Sequence, residues 1–254
     1  MRHIRENWYE DWFNRIYLKV YAHRDVDLAE SEVQFLIRAL DLERDDPILD
    51  LCCGAGRHLR RLREIGFHRT YGLDLSEDLL EVALREVAGQ DGLARGDMRQ
   101  LPFGPSFRAV LSLFTSFGYF QEEEENQATL REIHRVLVPG GRVLIDLPSY
   151  GLADRLVPET EREIDGIKVI EKRRYDSSRK RIEKEILIES EEGKETFFES
   201  VRVYFYGEIM KMFAEAGLAV EGLYGDFKGG EFDPRGERMI VIGQRTTAPA
   251  HLMR

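Results

Sequence analysis

Short apolar runs alternate with stretches of helical spacing from about residue 28 to residue 147, the pattern of a sheet built from strand–helix crossovers. Runs ending at Asp50 and Asp74, a short run before Asp97, and runs over 109–114 and 143–146 read as strands. Helices are expected over 28–40, from His58 onward, over 80–87 behind the capping Ser76, and over 122–137, whose acidic opening complements the helix dipole. A short aromatic helix over 7–21 precedes them. Beyond Glu161 the period falls to two. Stretches over 164–175, 181–190 and 196–205 alternate apolar and polar residues, with Asp176-Ser177-Ser178 and Glu192-Gly193 between them, and so predict antiparallel hairpins. A last helix over 207–216 and a closing hairpin, 218–224 with 239–244, complete the chain.

No internal repeat or low-complexity linker interrupts this order, so residues 1–254 are expected to form one domain. Its appendages would be an N-terminal helical lid (1–26) and an antiparallel β insertion (158–206) placed as a substrate lid. The 254 residues are enough to bury a sizeable core. A net charge of −10 argues against a dedicated nucleic-acid binder. The two cysteines, Cys52 and Cys53, are adjacent and lack metal-ligand spacing, which suggests buried thiols in a reducing cytoplasm and no metal site. The sequence shows neither a membrane-length apolar run nor a signal-peptide pattern.

The segment from Ile48 to His58 is the most informative. A strand ends at Asp50, passes through a turn carrying Gly54 and Gly56, and enters a helix. Such a turn lies in the crevice where open α/β sheets bind ligands, and glycines let the backbone approach them. A dinucleotide fingerprint would place a third glycine where Leu59 stands, and Asp50 would repel a phosphate. A ligand with a cationic group and no phosphate suits the turn, and S-adenosylmethionine is one. Asp74, at the next strand end, is placed to accept two ribose hydroxyls. Asp97 is placed either to accept the adenine amine, with Met98 on the ring, or to bond its own turn.

These segments, together with the apolar strand running into Thr115-Ser116-Phe117-Gly118-Tyr119 and the Pro139-Gly140-Gly141 turn before Asp146, resemble the class I S-adenosylmethionine-dependent methyltransferases. The resemblance covers about 27–146 and 206–244. It implies a Rossmann-like seven-stranded methyltransferase sheet of the α/β class, helices on both faces, and S-adenosyl-L-methionine as cofactor. It also implies cofactor contacts from Asp50, Cys52, Gly54, Gly56, Arg57, Asp74, Leu75, Asp97, Met98 and Phe114. Cys52 stands where the family's first glycine falls, and is small enough to be tolerated. Arg108 replaces an acidic residue that often opens the fourth strand, at its solvent end.

The resemblance implies in-line methyl transfer, for which alignment of the reacting atoms contributes most. Tyr119 is the candidate catalytic residue, bonding a substrate; Tyr119 or Phe117 would shield the sulfonium, or both would simply pack the crevice wall. Tyr17, Tyr21, Ser116, Tyr119 and Asp226 are the candidate substrate contacts. The aromatic stripe holding Tyr17 and Tyr21 either packs on the body or gates the crevice, and Asp226 either holds a cationic acceptor or serves its own turn. His58 is structural or lies near the cofactor carboxylate, and His134 sits on a helix surface. His3, His23, His68 and His251 fit no catalytic pairing. The basic stretch 168–184 is a solvated hairpin or an RNA contact. The function expected is methylation of a small-molecule amine or hydroxyl, with an RNA-modifying methyltransferase or a non-catalytic S-adenosylmethionine-binding protein as alternatives. The sequence leaves the oligomeric state open.

Overall fold

A computed structural model describes residues 4–21, 26–87 and 91–246. Helices α1 (Trp8–Trp12), α2 (Arg15–Val20) and α3 (Val26–Leu40) lead into β1 (Ile48–Leu51), α4 (Arg57–Glu64), β2 (Thr70–Asp74), α5 (Glu77–Glu86), β3 (Leu93–Arg95) and β4 (Phe107–Ser112). Helix α6 (Glu123–Val136), β5 (Leu137–Pro148) and the short α7 (Tyr150–Ala153) follow. The insertion comprises β6 (Glu159–Ile164), β7 (Ile167–Asp176), β8 (Arg181–Ser190) and β9 (Gly193–Arg202). The chain then closes with α8 (Tyr206–Glu215), β10 (Leu218–Tyr224) and β11 (Arg238–Arg245).

Seven strands form one sheet in the order β10-β11-β5-β4-β1-β2-β3. The five strands from β3 to β5 run parallel, whereas β11 is antiparallel to β5 and β10 to β11. Side-chain alternation gives the sheet two apolar faces. Leu49, Leu51, Val110 and Val143 pack with Leu130 and Ile133 of α6 and Phe213 of α8. Ile48, Ala109, Leu111 and Leu144 pack with Leu36 and Leu40 of α3 and Leu62 of α4. Strand order reverses at β1, so the crevice beyond the carboxyl ends of β1 and β4 is where such a sheet takes its ligand.

A separate four-stranded antiparallel sheet, β6-β7-β8-β9, is the insertion. Its first strand was not expected, because its residues alternate between exposed and only half-buried. The turn that makes it a hairpin is nonetheless in the sequence: Asp165-Gly166, both at positive φ, form the two-residue loop that favours strand pairing. The third expected strand lies three residues earlier, at Gly193–Arg202. The single aromatic helix expected over 7–21 is two helices. Asn14, in extended conformation, breaks it and accepts the N–H groups of Ile16 (2.7 Å) and Tyr17 (3.2 Å) with its side chain.

Candidate active site

The turn after β1 carries left-handed residues at Cys52 (φ 62°), Gly54 (φ 55°) and Gly56 (φ 77°). Gly56 caps α4, and a Cβ on it would lie 2.6 Å from Val87 Cγ2, so glycine is required there on two counts. Leu59 is fully buried, and Gly72 of β2 makes room for it, since a Cβ there would meet Leu59 Cδ1 at 2.6 Å and Cys53 Sγ at 2.8 Å.

Asp50 is 2% exposed, and among the described residues its Oδ2 has no hydrogen-bond partner. Burial, reinforced by the neighbouring Asp74 and opposed by Arg57, pushes its carboxyl up to about 7. Asp74 is held differently. Its Oδ2 accepts the Gly54 N–H at 2.7 Å and its Oδ1 the Ser76 N–H at 2.9 Å, which offset but do not cancel the upward push of burial. Ser76 caps α5 through the Leu79 N–H and donates its hydroxyl to the Phe13 carbonyl at 2.5 Å. One strand end thus fastens the glycine turn, α5 and the N-terminal segment together.

Asp97 is a turn residue in this structure: its Oδ1 accepts the Arg99 N–H at 2.8 Å, and both oxygens bond the Arg99 guanidinium. Burial pushes its carboxyl up, but the bonds to Arg99 outweigh that and hold it below the usual range. It still faces the cavity beside Met98, with lone pairs to spare.

The mouth after β4 is strained at two consecutive residues, Phe114 (φ 54°) and Thr115 (φ 62°). Asp146, 2% exposed at the end of β5, secures it by accepting the Phe114 N–H (2.9 Å) and an Arg238 N–H (3.0 Å). Arg57 sits over the Phe114 ring at 4.3 Å and pairs with Glu32 at 2.9 Å. His58, 3.0 Å from the same carboxylate, is buried and shifted below its ordinary pKa by that burial, so it has a structural place behind the turn. Glu32, Asp146 and Arg238 carried no signal in the sequence, because each acts through a contact between distant segments.

Tyr119 is 8% exposed and packs against Trp8 (4.9 Å), Phe13 (5.8 Å) and Tyr9 (6.2 Å). Burial pushes its phenol well above the ordinary value, which disqualifies it as a proton acceptor but suits it to positioning. Tyr17 and Tyr21 lie on the same wall, and the Tyr21 hydroxyl donates to Glu171 Oε1 of β7 at 2.9 Å. Phe117 lies away from the cavity wall, turned into the core beside Tyr204 (5.7 Å). Asp226 takes the turn role that was the alternative for it and lies off the cavity: its Oδ1 accepts the Lys228 and Gly230 N–H groups at 2.7 and 2.9 Å, closing its own exposed loop. His134 is half-buried, packed against the backbone of Gly217, rather than on the surface. His3, His23 and His251 lie outside the described residues.

The structure therefore brings Asp50, Cys52, Gly54, Gly56, Arg57, Asp74, Leu75, Asp97, Met98, Phe114, Ser116, Tyr119, Tyr17 and Tyr21 to one cavity of about 910 Å³. A profile described as "Methyltransferase domain" matches residues 48–141, the stretch that builds its cofactor half. That stretch is similar to the class I S-adenosylmethionine-dependent methyltransferases. Among characterised proteins, the chain is 36% identical over 133 residues to a dTDP-3-amino-3,4,6-trideoxy-alpha-D-glucopyranose N,N-dimethyltransferase of Streptomyces venezuelae, covering 52% of this chain and 55% of that one. This chain thus spans about half the length of that relative. It is 29% identical over 215 residues to a cypemycin N-terminal methyltransferase of Streptomyces sp, covering 78% of this chain and 82% of that one. A solved sugar N-methyltransferase of Streptoalloteichus sp superposes with a TM-score of 0.69 at 25% identity, over 92% of this chain and 94% of its own.

The family's cofactor is S-adenosyl-L-methionine, and the residues present fit it. The partnerless oxygen of Asp50, buried at the glycine turn, is an acceptor in need of a cation, and the ammonium of the cofactor is one. Asp74 keeps free lone pairs for a diol. Among the described residues no helix is long and apolar enough to cross a membrane.

Proposed function

We propose that this methyltransferase transfers a methyl group to the nitrogen of a small-molecule amine. In this reading Asp50 and Gly54 seat the amino-acid end of the cofactor, Asp74 and Leu75 its ribose, Asp97 and Met98 its adenine. Arg57 and Phe114 border the turn. Tyr119, Ser116, Tyr17 and Tyr21 shape the acceptor wall, with Tyr119 as a positioning phenol.

When bound, the cofactor supplies a methyl on a positively charged sulfur, already activated for displacement. That methyl would pass to the lone pair of a nitrogen held against the Tyr119 wall, the C–S electron pair staying with sulfur. The nitrogen's proton passes to water. The protein's part is alignment, which can contribute roughly 7–11 kcal/mol.

The observation that carries the nitrogen is the state of the mouth's titratable groups. Burial holds the Tyr119 phenol and the Cys52 thiol in their protonated forms, and His58 is engaged with Glu32. An amine with a free lone pair needs no strong base, whereas a hydroxyl does. The relatives point the same way, one being an N,N-dimethyltransferase of a dTDP-amino sugar and another the cypemycin N-terminal methyltransferase.

The RNA reading loses its support, because the basic stretch is neutralised within the insertion. Lys168 pairs with Glu161, Arg173 with Glu171, Arg174 with Glu183 and Lys184 with Glu199. In this reading α1 and α2 cover the acceptor end, and the insertion backs them through the Tyr21–Glu171 and Trp12–Glu199 hydrogen bonds.

The test is incubation with methyl-labelled cofactor and a panel of amines, matched alcohols and RNA, followed by location of the label. Label on amine nitrogen supports the proposal. Label on oxygen, carbon or RNA overturns it, and so does tight cofactor binding with no transfer to any acceptor.

A further inference from the structure

The acceptor end of the cavity has a chemistry of its own. Beyond the residues assigned to the cofactor, the N-terminal helices and the mouth form one continuous aromatic wall: Tyr9, Phe13, Tyr17 and Tyr21 with Tyr119 and Phe120, Phe13 and Tyr9 packing on Tyr119. The rings brace one another, Phe13 against Tyr17 at 5.0 Å and Tyr17 against Tyr21 at 4.9 Å, so they form a fixed surface rather than a loose fringe. Glu10 is the charged side chain that this wall adds.

The charge of the whole cavity leans the same way. Among the described residues its cations are Arg57, Arg60 and Arg95, and each is already matched. Arg57 lies 2.9 Å from Glu32, Arg60 3.3 Å from Glu86, and Arg95 2.7 Å from Glu77. Glu81 pairs with Arg15 at 2.7 Å, and the carboxyl groups of Asp50, Asp74 and Glu10 remain on the walls, giving the described interior an acidic excess. A diphosphate entering it would meet repulsion, and among the described residues no unpaired guanidinium lines the cavity to offset the cost of desolvation. A cation is attracted by the carboxylates and again by the faces of the rings.

Space sets the second limit. About 910 Å³ lies within the roughly 300–1,000 Å³ usual for a single small-molecule cleft, and here one volume must hold the cofactor and the acceptor together.

From these walls we infer that the acceptor is a compact amine with an apolar or aromatic body and no phosphate, bound against the tyrosine wall as its ammonium, which passes one proton to water and so frees the lone pair before methyl transfer. Acceptors carried on a nucleoside diphosphate are excluded. This rests on the amine reading above and narrows it.

The test loads the full chain with S-adenosylhomocysteine and titrates three probes by calorimetry: 2-phenylethylamine, 2-phenylethanol and dTDP. The amine is expected to bind about tenfold tighter than the alcohol of the same shape, and dTDP to give no saturable heat. Tyr17→Ala and Tyr21→Ala should each weaken the amine about fivefold while S-adenosylhomocysteine affinity stays within about twofold. Equal binding of amine and alcohol overturns the inference, as does absence of amine binding at millimolar concentration or saturable binding of dTDP. The two readings fail separately: nitrogen methylation of a nucleotide-linked amine would sink this inference and leave the amine reading standing, whereas label on oxygen would sink the amine reading.

Discussion

Arg181 Nη2 lies 2.8 Å from the carbonyl oxygen of Tyr119, and the same guanidinium also reaches the carbonyls of Gly118 (3.0 Å) and Phe120 (2.9 Å). Its remaining bonds go to Ser200 Oγ and O, so a buried cation is held by neutral oxygens, and burial lowers its pKa to about 10. It remains protonated at neutral pH. This one side chain of β8 therefore ties the insertion to three successive residues of the mouth, including the tyrosine on the acceptor wall.

Arg181→Met leaves the Tyr119 carbonyl without its donor, at roughly 1–3 kcal/mol, whereas Gly118 keeps the Arg202 N–H and Phe120 the Asn126 amide. The expected result is a lower melting temperature and at least a tenfold fall in kcat/KM for the acceptor, with cofactor Kd changed less than about threefold. Arg181→Lys should recover part of the stability and little of the rate, since an ammonium cannot span the same set of oxygens. A fall in stability with kcat/KM unmoved would make the residue purely structural.

Asp226 was a candidate for holding a cationic acceptor, and its geometry gives a contrary forecast. The carboxylate is fully engaged with its own loop, where the Gly230 N–H is the main influence lowering its pKa. Asp226→Ala should cost about 0.5–1 kcal/mol in urea unfolding and leave the acceptor KM within about twofold. A KM raised tenfold or more would return the residue to the site.

The contrast between Asp74 and Arg181 shows where sequence reading succeeds. Asp50, Gly54, Gly56 and Asp74 were legible because local rules govern them: a strand ends, a turn needs φ above zero, a helix begins. The α/β order from β1 to β5 followed from the same periodicity. Arg181 opens a strand among other charged residues, and nothing in that neighbourhood distinguishes a buried guanidinium from a solvated one. Glu32 and Asp146 were hidden likewise, since their partners lie 25 and 32 residues away. Asp165-Gly166 was different: its hairpin signal was present, and the edge strand before it was masked by weak burial.

Asp74→Ala is commonly the first substitution to try at such a strand end, and here it would mislead. The side chain holds the Gly54 and Ser76 N–H groups as well as facing the cavity, and bonds to a charged group are worth roughly 1.5–3 kcal/mol each. Alanine should therefore lower stability by about 3 kcal/mol or more and collapse the turn. Asp74→Asn keeps one acceptor oxygen and is expected to stay folded by circular dichroism while cofactor affinity drops about 100-fold. Unchanged affinity in a folded Asn variant would remove Asp74 from the ribose site.

Asp50 offers the sharpest test, because its stability effect and its binding effect have opposite signs. Its carboxyl is raised from 3.8 to about 7 in the folded protein, with burial the main cause. A raised acid favours folding below its unfolded pKa, and that contribution is lost as pH climbs from about 4 through 7. Above pH 7 the protein carries an ionised, buried oxygen with no donor. Asp50→Asn should then stabilise the ligand-free protein at pH 8, seen as a higher melting temperature. Binding runs the other way, since a cationic ligand requires the carboxylate. Below pH 7 the affinity of the native protein should fall by about tenfold per pH unit, with close to one proton released per cofactor bound at pH 6 and almost none at pH 8. Calorimetry in buffers of different ionisation heat measures that release. In Asp50→Asn the affinity should be weaker at pH 8, and the dependence should flatten. A native profile that is already flat between pH 6 and 8 would mean that the ammonium is held elsewhere and the partnerless oxygen is not its seat.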